Sequence, residues 1–360
     1  MDRIRRGRGV CGVAPPPRSA AIPAMNECDP RPPGLDEFVR RLPKTETHLH
    51  LEGALPYHLL QRLDPVRFAQ PPPSWAPDHR FGSFTDFDNL IIGLLSPWFT
   101  SAGRYHEAAA QVFRGLAAQN VRYVETSFHL PIVQFIGDGG EAIVQAILDA
   151  VPPGLTVRVF AGLVRDCHTG PIPAVIADAL RWKWLAGFDL HGHETLPLED
   201  WTAAVWRRAR DAGKETKAHA GEFGGAANVR TVVEHLGVRR VQHGVRAIED
   251  PEVVALLVRE GVTLDITPIS NVKLGVVPSL REHPIRALLA ASVRCTVSTD
   301  DPLIFGNTLT DEYCGLATEA GFTGAELVQV ARNGFLAGTM PEPTRIAALA
   351  ELAALEREEC

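Results

Sequence analysis

Residues 48–50 read His48-Leu49-His50. Side chains alternate faces along an extended strand, so the two imidazoles share one face about 7 Å apart and can close on a single metal ion. Taken alone, the pair also fits a half-buried strand that carries two histidines. Residues of the same kind recur further on. The chain reads Asp189-Leu190-His191-Gly192-His193-Glu194, then His219-Ala220-Gly221-Glu222, His243-Gly244 and Thr299-Asp300-Asp301-Pro302. Three imidazoles and a carboxylate around an open position make a metal site that activates water for hydrolysis.

Such groups act together only if the fold brings them to one place. Strand-like runs lie at 44–50, 121–127, 156–162, 187–191, 215–219, 240–243, 262–266 and 294–298. Helical spacing follows most of them, at 141–150, 174–185, 198–212, 229–236, 251–260 and 284–291. Strands alternating with helices imply parallel pairing, and eight units predict a (β/α)₈ TIM barrel. An open doubly wound sheet is the alternative, but no Gly-x-Gly-x-x-Gly follows the first strand. In a barrel the chemistry lies at the C-terminal ends of the strands, which is where each of the groups above stands. Between Glu52 and Asn120 no strand is expected. Phe81, Phe84, Phe87, Leu90, Ile91, Ile92, Leu94 and Leu95 suggest a helical insertion after strand one, able to cap the site.

The chain has 360 residues, 45% of them hydrophobic, with mean hydropathy −0.01. The formal net charge is −7, and no basic patch extends beyond the N-terminus, which argues against nucleic acid as a partner. No apolar run reaches the roughly 18 residues of a membrane span. Six cysteines without a Cys-x-x-Cys pair read as reduced thiols in a cytoplasmic protein. Residues 1–33, rich in arginine and then proline, read as a disordered tail before a domain spanning 34–360, with Met25 an alternative start.

Four stretches carry a resemblance. Lys44-Thr-Glu-Thr-His-Leu-His-Leu-Glu-Gly-Ala54, His219-Ala-Gly-Glu222, Val241-Gln-His-Gly-Val-Arg-Ala-Ile-Glu-Asp250 and Ser298-Thr-Asp-Asp-Pro-Leu-Ile-Phe305 resemble the adenosine/adenine deaminase family, from about residue 42 to 336. The resemblance implies an amidohydrolase-type barrel with one zinc per chain, held by His48, His50, His219 and Asp300. It implies that Glu222 protonates the purine at N1 and that His243 orients and deprotonates the attacking water. It places Asp301 at N7, the backbone N–H of Gly192 at N3, and His50 and Glu52 against the substrate. His168, His191 and His193 read as rim residues. Proton delivery by Glu222 requires a neutral acid, hence a raised pKa in a dry pocket.

The implied reaction is hydrolytic deamination at C6 of an aminopurine, with adenosine or 2′-deoxyadenosine first. Position 52 is Glu, where adenosine-hydrolysing members carry Asp. Glu52 and Pro268-Ile-Ser-Asn-Val-Lys273 look more like the adenine or aminodeoxyfutalosine branch, while residues 299–305 look like the adenosine branch. A binuclear hydrolase on the same barrel would need a bridging carboxylate or a lysine on strand four, which offers Asp189 and no lysine. A non-catalytic relative would be expected to lack Glu222, His243 or a ligand, and none is missing. The absence of Pro-Cys-x-x-Cys excludes the cytidine-deaminase type of zinc site.

Overall fold

Eight parallel strands succeed one another in chain order: β1 (Lys44–His50), β2 (Val121–His129), β3 (Thr156–Val164), β4 (Leu185–His191), β5 (Glu215–Ala220), β6 (Arg240–His243), β7 (Thr263–Ile266) and β8 (Arg294–Val297). Each pairs with its sequence neighbour, in the order β1 to β8. The computed structural model describes residues 34–359. The tail at 1–33 and the alternative start at Met25 therefore lie outside the described residues.

An isolated parallel bridge between Leu49 and Asp300 joins the two outer strands. The His50 N–H donates to the Asp300 carbonyl at 3.1 Å, and the Asp300 N–H donates to the His48 carbonyl at 3.0 Å. This makes the expected (β/α)₈ barrel, nearly closed, with its seam at the C-terminal ends of the strands.

Several boundaries differ from the sequence-based expectation. β2 and β3 each run two residues further, to His129 and Val164, and β4 starts two residues earlier, at Leu185. The helix expected at 174–185 is Ile172–Ala179. It ends where Trp182 turns inward to bond Asp178 and cover Gly140. The helix expected at 229–236 is Ala226–Thr231, continued by a π-type turn and closed by Gly237 at φ +70°. A short helix, Pro268–Lys273, was not anticipated; proline stands at its start, and all six residues are buried.

The insertion after β1 supplies three helices, Tyr57–Leu63, Phe84–Leu95 and Ala102–Ala118. Ser83 caps the second by accepting the Asp86 N–H at 3.2 Å. Phe87 lies flat on Phe305 at 5.8 Å, which fixes this helix over the strand ends. Among the described residues, no helix is long and apolar enough to cross a membrane.

The barrel interior is not simply apolar. Lys217 on β5 pairs with Glu125 on β2 and donates to the Thr47 carbonyl at 2.9 Å. Arg240 on β6 forks onto Asp265 at 2.8 and 3.0 Å and reaches Glu125 at 3.2 Å. Thr47 and Thr296 donate to Asp265, and Tyr123 donates to Glu125. Burial pushes the Glu125 carboxyl up, but Arg240 and Lys217 outweigh it and bring its pKa down to about 2.

A depressed carboxylate stabilises the fold above its unfolded pKa and loses that contribution as pH falls through its folded value. The Glu125 contribution should therefore be complete above about pH 4.5 and fade towards pH 2. Glu125→Gln should lower stability at pH 7 by about 3–5 kcal/mol, because Lys217 and Arg240 keep their charges. It should also flatten that part of the acid limb. Melting temperature followed from pH 7 to 2 in both proteins measures this, and parallel curves would exclude it.

Candidate active site

His48 and His50 leave β1 on one side, although the β1–β2 register shifts between Glu46 and Leu49. His219 ends β5 beside them, and Asp300 reaches in across the seam. His48 Nε2 lies 3.1 Å from His219 Nε2, which lies 3.2 Å from His50 Nε2. Asp300 Oδ1 is 3.3 Å from His48 Nε2 and 3.4 Å from His50 Nε2. One donor atom from each of the four residues falls within 4.8 Å of the others.

The hydrogen bonds behind two of the rings fix what these nitrogens carry. His48 Nδ1 faces the Asp265 carbonyl at 3.0 Å, and His219 Nδ1 faces the Leu190 carbonyl at 3.0 Å. A carbonyl only accepts, so both rings hold their proton on Nδ1 and present a lone pair at Nε2. Two lone pairs 3.1 Å apart beside a carboxylate repel unless positive charge lies between them. His50 reports the same demand: burial opposes its protonation, yet Asp301 and Asp300 push its pKa up to about 10. Three imidazole nitrogens and one carboxylate oxygen are also the donor types that suit a divalent transition metal, so the residues present fit such an ion.

Behind the ligands, Ser127 Oγ contacts His50 Nδ1 at 3.0 Å and Ser270 Oγ donates to Asp300 Oδ2 at 2.7 Å. Burial raises the Asp300 pKa, but His48 and the hydrogen bonds from both β1 histidines hold it well below the carboxylate range. Asp300 and His243 both have a left-handed backbone, φ +68° and +62°. Such strain costs about 1–3 kcal/mol at a non-glycine residue and clusters at functional sites.

A cavity of about 380 Å³ opens over this cluster, between the strand ends and the Phe84–Leu95 helix. Glu222, His243, Asp301, Glu52 and Gly192 all line it. Glu222 Oε2 is 3.4 Å from His243 Nε2, while Glu222 Oε1 and Asp301 Oδ1 are buried without a partner. Burial, then the nearby Asp300, raises the Glu222 pKa well above its ordinary value. Burial and Asp300 do the same to Asp301. Burial, then His48, pushes His243 well below the usual imidazole range.

Glu52 Oε1 accepts the Tyr105 hydroxyl at 2.6 Å and the His129 N–H at 2.9 Å. Burial raises its pKa against those two bonds. Gly53 is required beside it, since a Cβ there would lie 1.6 Å from Asp301 Oδ1. Gly192 has φ +78°, and a Cβ would strike Val164.

The structure adds residues that the sequence reading passed over. His191, read as a rim residue, lines the cavity, stacks on His50 at 5.2 Å and contacts His129 Nδ1 at 3.3 Å. Its position at the end of a strand was the available signal. Glu194 accepts the N–H groups of Gly221, Glu222 and Gly224 at 2.6, 3.0 and 2.8 Å, and so fixes the turn that carries Glu222. No local pattern marks that contact. His168 stacks on Trp201, and His193 packs at a tilt against Phe84 of the cavity wall.

The sequence profile of the adenosine deaminase family matches residues 43–355. An adenine deaminase of Cupriavidus necator is 33% identical over 328 residues, covering 88% of this chain and 93% of its own. The crystal structure of adenine deaminase from Arthrobacter aurescens superposes with a TM-score of 0.77 at 26% identity, over 88% of this chain and 99% of that one. A zinc-bound amidohydrolase from Burkholderia ambifaria shares the fold, with a TM-score of 0.76 at 24% identity over 93% and 97% of the two chains. With a match of this extent and a histidine–aspartate metal cluster at the strand ends, the chain belongs to the adenosine deaminase family of metal-dependent amidohydrolases and is a hydrolytic purine deaminase.

Proposed function

We propose that the substrate is adenine as the free base, converted to hypoxanthine and ammonia, with one zinc per chain. The sequence reading put adenosine or 2′-deoxyadenosine first. The relatives reverse that order, since those at 30–33% identity are named adenine deaminases. Zinc suits a site of three imidazoles and one carboxylate, and a relative of the same fold carries it. His48, His50, His219 and Asp300 would hold the ion, which supplies Lewis-acid activation of water at neutral pH.

The observation that carries the base specificity is the order of polar groups around the cavity. Glu222 follows β5, Gly192 follows β4, Glu52 follows β1, and Asp301 follows β8. The rim of a purine runs N1, N3, N9, N7 in the same sense. With N1 at Glu222, N3 at the Gly192 N–H and N7 at Asp301, N9 faces the ends of β1 to β3. Glu52 is the carboxylate there, and its Oε1 is already engaged by Tyr105 and His129. Its other oxygen is placed to accept the N9–H of a free base. A nucleoside has no N9–H, and its sugar would meet Glu52. It would also meet the apolar outer wall made by Phe84, Phe87, Ile91, Ile92, Leu95 and Phe135.

The remaining groups complement adenine. Burial and the neighbouring Asp300 push the carboxyls of Glu222 and Asp301 toward the protonated form, which can donate to N1 and N7, both acceptors in 9H-adenine. A proton placed on N1 draws electrons from C6 and prepares it for attack. His50 and His243 face the reacting carbon from the β1 and β6 side.

Ammonia release from adenine, 9-methyladenine, adenosine, 2′-deoxyadenosine and aminodeoxyfutalosine tests the reading. kcat/KM for adenine should exceed that of every N9-substituted compound by at least about 10²-fold, since a site built around a substrate N–H strongly rejects analogues lacking it. Comparable turnover of adenosine would overturn it. In Glu52→Gln, Tyr105 and His129 should keep the amide oxygen, which turns the amide NH₂ towards N9–H. The preference for adenine over 9-methyladenine should then collapse.

Two further variants separate ligand from acid. His50→Ala and Asp300→Ala should each lose both zinc and activity, because an incomplete shell does not retain the ion. Glu222→Gln should keep its zinc and lose about 10²–10⁴-fold in kcat. Metal analysis beside steady-state kinetics reads both; a Glu222→Gln protein stripped of zinc would make Glu222 a ligand instead.

A further inference from the structure

The resemblance gives His243 the task of taking a proton from water, which requires a lone pair on its inward nitrogen, Nε2. The hydrogen bonds behind the ring decide whether that lone pair exists. They form a line that starts from a group with no choice of role. The backbone N–H of Ile285 can only donate, and it donates to His283 Nδ1 at 3.1 Å. His283 Nδ1 is therefore an acceptor. Burial lowers the pKa of this imidazole to about 3, so it is neutral and its proton is on Nε2.

His283 Nε2 lies 3.2 Å from Asn271 Oδ1, a donor facing a carbonyl oxygen. That contact fixes which way the Asn271 amide points. Its Nδ2 is left facing His243 Nδ1 at 3.2 Å, and an amide NH₂ only donates. The Thr267 hydroxyl, 3.0 Å from the same nitrogen, is free to turn and donate as well. His243 Nδ1 thus receives hydrogen bonds and carries no proton. In the neutral ring the proton sits on Nε2, the nitrogen that faces the cavity and Glu222.

We propose that Asn271 and His283 are positioning residues that hold His243 as its Nε2–H tautomer, so that it presents a donor, and not a lone pair, to the reacting oxygen. The four groups span distinct parts of the chain. Ile285 and His283 precede β8, Asn271 lies on the buried Pro268–Lys273 helix after β7, and His243 ends β6. The helix that the sequence did not announce is thereby given a task, since it carries the link between a fixed backbone donor and the catalytic ring. The role of the donor rests on the deaminase reading, whereas the tautomer does not.

Asn271→Asp is nearly isosteric and reverses the logic. A carboxylate only accepts, so it should draw the His243 proton to Nδ1 and bare Nε2. The test is ¹⁵N NMR of histidine-labelled, zinc-loaded full-length protein, with the His243 signals identified by their loss in His243→Gln. The wild type should show Nε2 protonated and Nδ1 unprotonated. In Asn271→Asp the proton should move to Nδ1 and kcat should fall at least about 10²-fold, with KM within about 3-fold and zinc content unchanged. His283→Leu frees the Asn271 amide to flip and should populate both tautomers with a lower kcat. His283→Gln keeps a donor to Asn271 and should recover most of the loss. A wild-type ring protonated on Nδ1, or an Asn271→Asp ring that keeps its proton on Nε2, overturns the relay. A moved proton with unchanged kcat overturns its role in the reaction. Should Asn271→Asp fail to fold, the wild-type spectrum and the His283 pair decide the matter. Absence of adenine turnover in the wild type would defeat the substrate assignment and leave the tautomer result standing.

Discussion

The seam between β1 and β8 is the contact on which the site depends. Two backbone hydrogen bonds, from His50 to Asp300 and from Asp300 to His48, make it at the level of the ligands themselves. β8 ends at Val297, so the ladder does not continue regularly to that point. The Ser298 hydroxyl oxygen fills the gap by accepting the N–H groups of Thr47 and His48 at 3.0 and 3.1 Å. Asp300 then takes a left-handed φ of +68° before the chain enters the short helix Pro302–Phe305. The closure of the barrel and the convergence of three ligands are thus one event. A barrel left open at this seam would lose the fourth donor together with its last strand pairing.

Below the seam the interior is held by charge. Glu125, Lys217, Arg240 and Asp265 project from four strands and satisfy one another, with Thr47, Thr296 and Tyr123 filling remaining positions. Such a network is not an efficient source of stability, because desolvating the ions costs nearly what their pairing returns. It has a different consequence here. Each ion has a directional requirement that an apolar side chain lacks, so the strands that carry the ligands are tied in register. Lys217 is two residues from His219, and the backbone of Asp265 receives the Nδ1 proton of His48. The floor of the barrel and the tautomers of the metal site are therefore coupled through two short pieces of chain.

The parts of this arrangement legible in the sequence are those governed by local period. The two-residue spacing of His48 and His50, and the recurrence of polar groups just after apolar runs, pointed to the correct strands and the correct end of the barrel. Four motifs then singled out the candidate ligands, which the fold brings together. What escaped depends on contacts between distant segments. His129 and His191 meet only because β2 and β4 flank β3 and β2 overruns its expected end. Glu194 finds three amides of the following loop. Asn271 belongs to a helix of six residues, too short to show periodicity, whose burial on every side gives it no polar face. On nucleoside against base the signals in the sequence conflict, Glu52 pointing to the adenine branch and residues 299–305 to the adenosine branch. The contacts of Tyr105 and His129 to Glu52 were not legible, since neither residue is near it in sequence.

His243 and Glu222 present a final constraint, because an imidazole and a carboxylic acid 3.4 Å apart would ordinarily exchange a proton and become an ion pair. That outcome would remove the acid from the reaction. Burial works against it from both sides, since it raises the pKa of Glu222 and lowers that of His243, which favours the neutral form of each. Neutrality alone still allows Glu222 to direct its proton at a lone pair on Nε2. The relay through Asn271 excludes that geometry. With Nε2 already protonated, Glu222 Oε2, 3.4 Å away, faces a donor and not a lone pair. The carboxyl proton is then favoured on Oε1, which is buried without a partner within the protein. The network behind His243 thereby constrains which oxygen of Glu222 carries the proton.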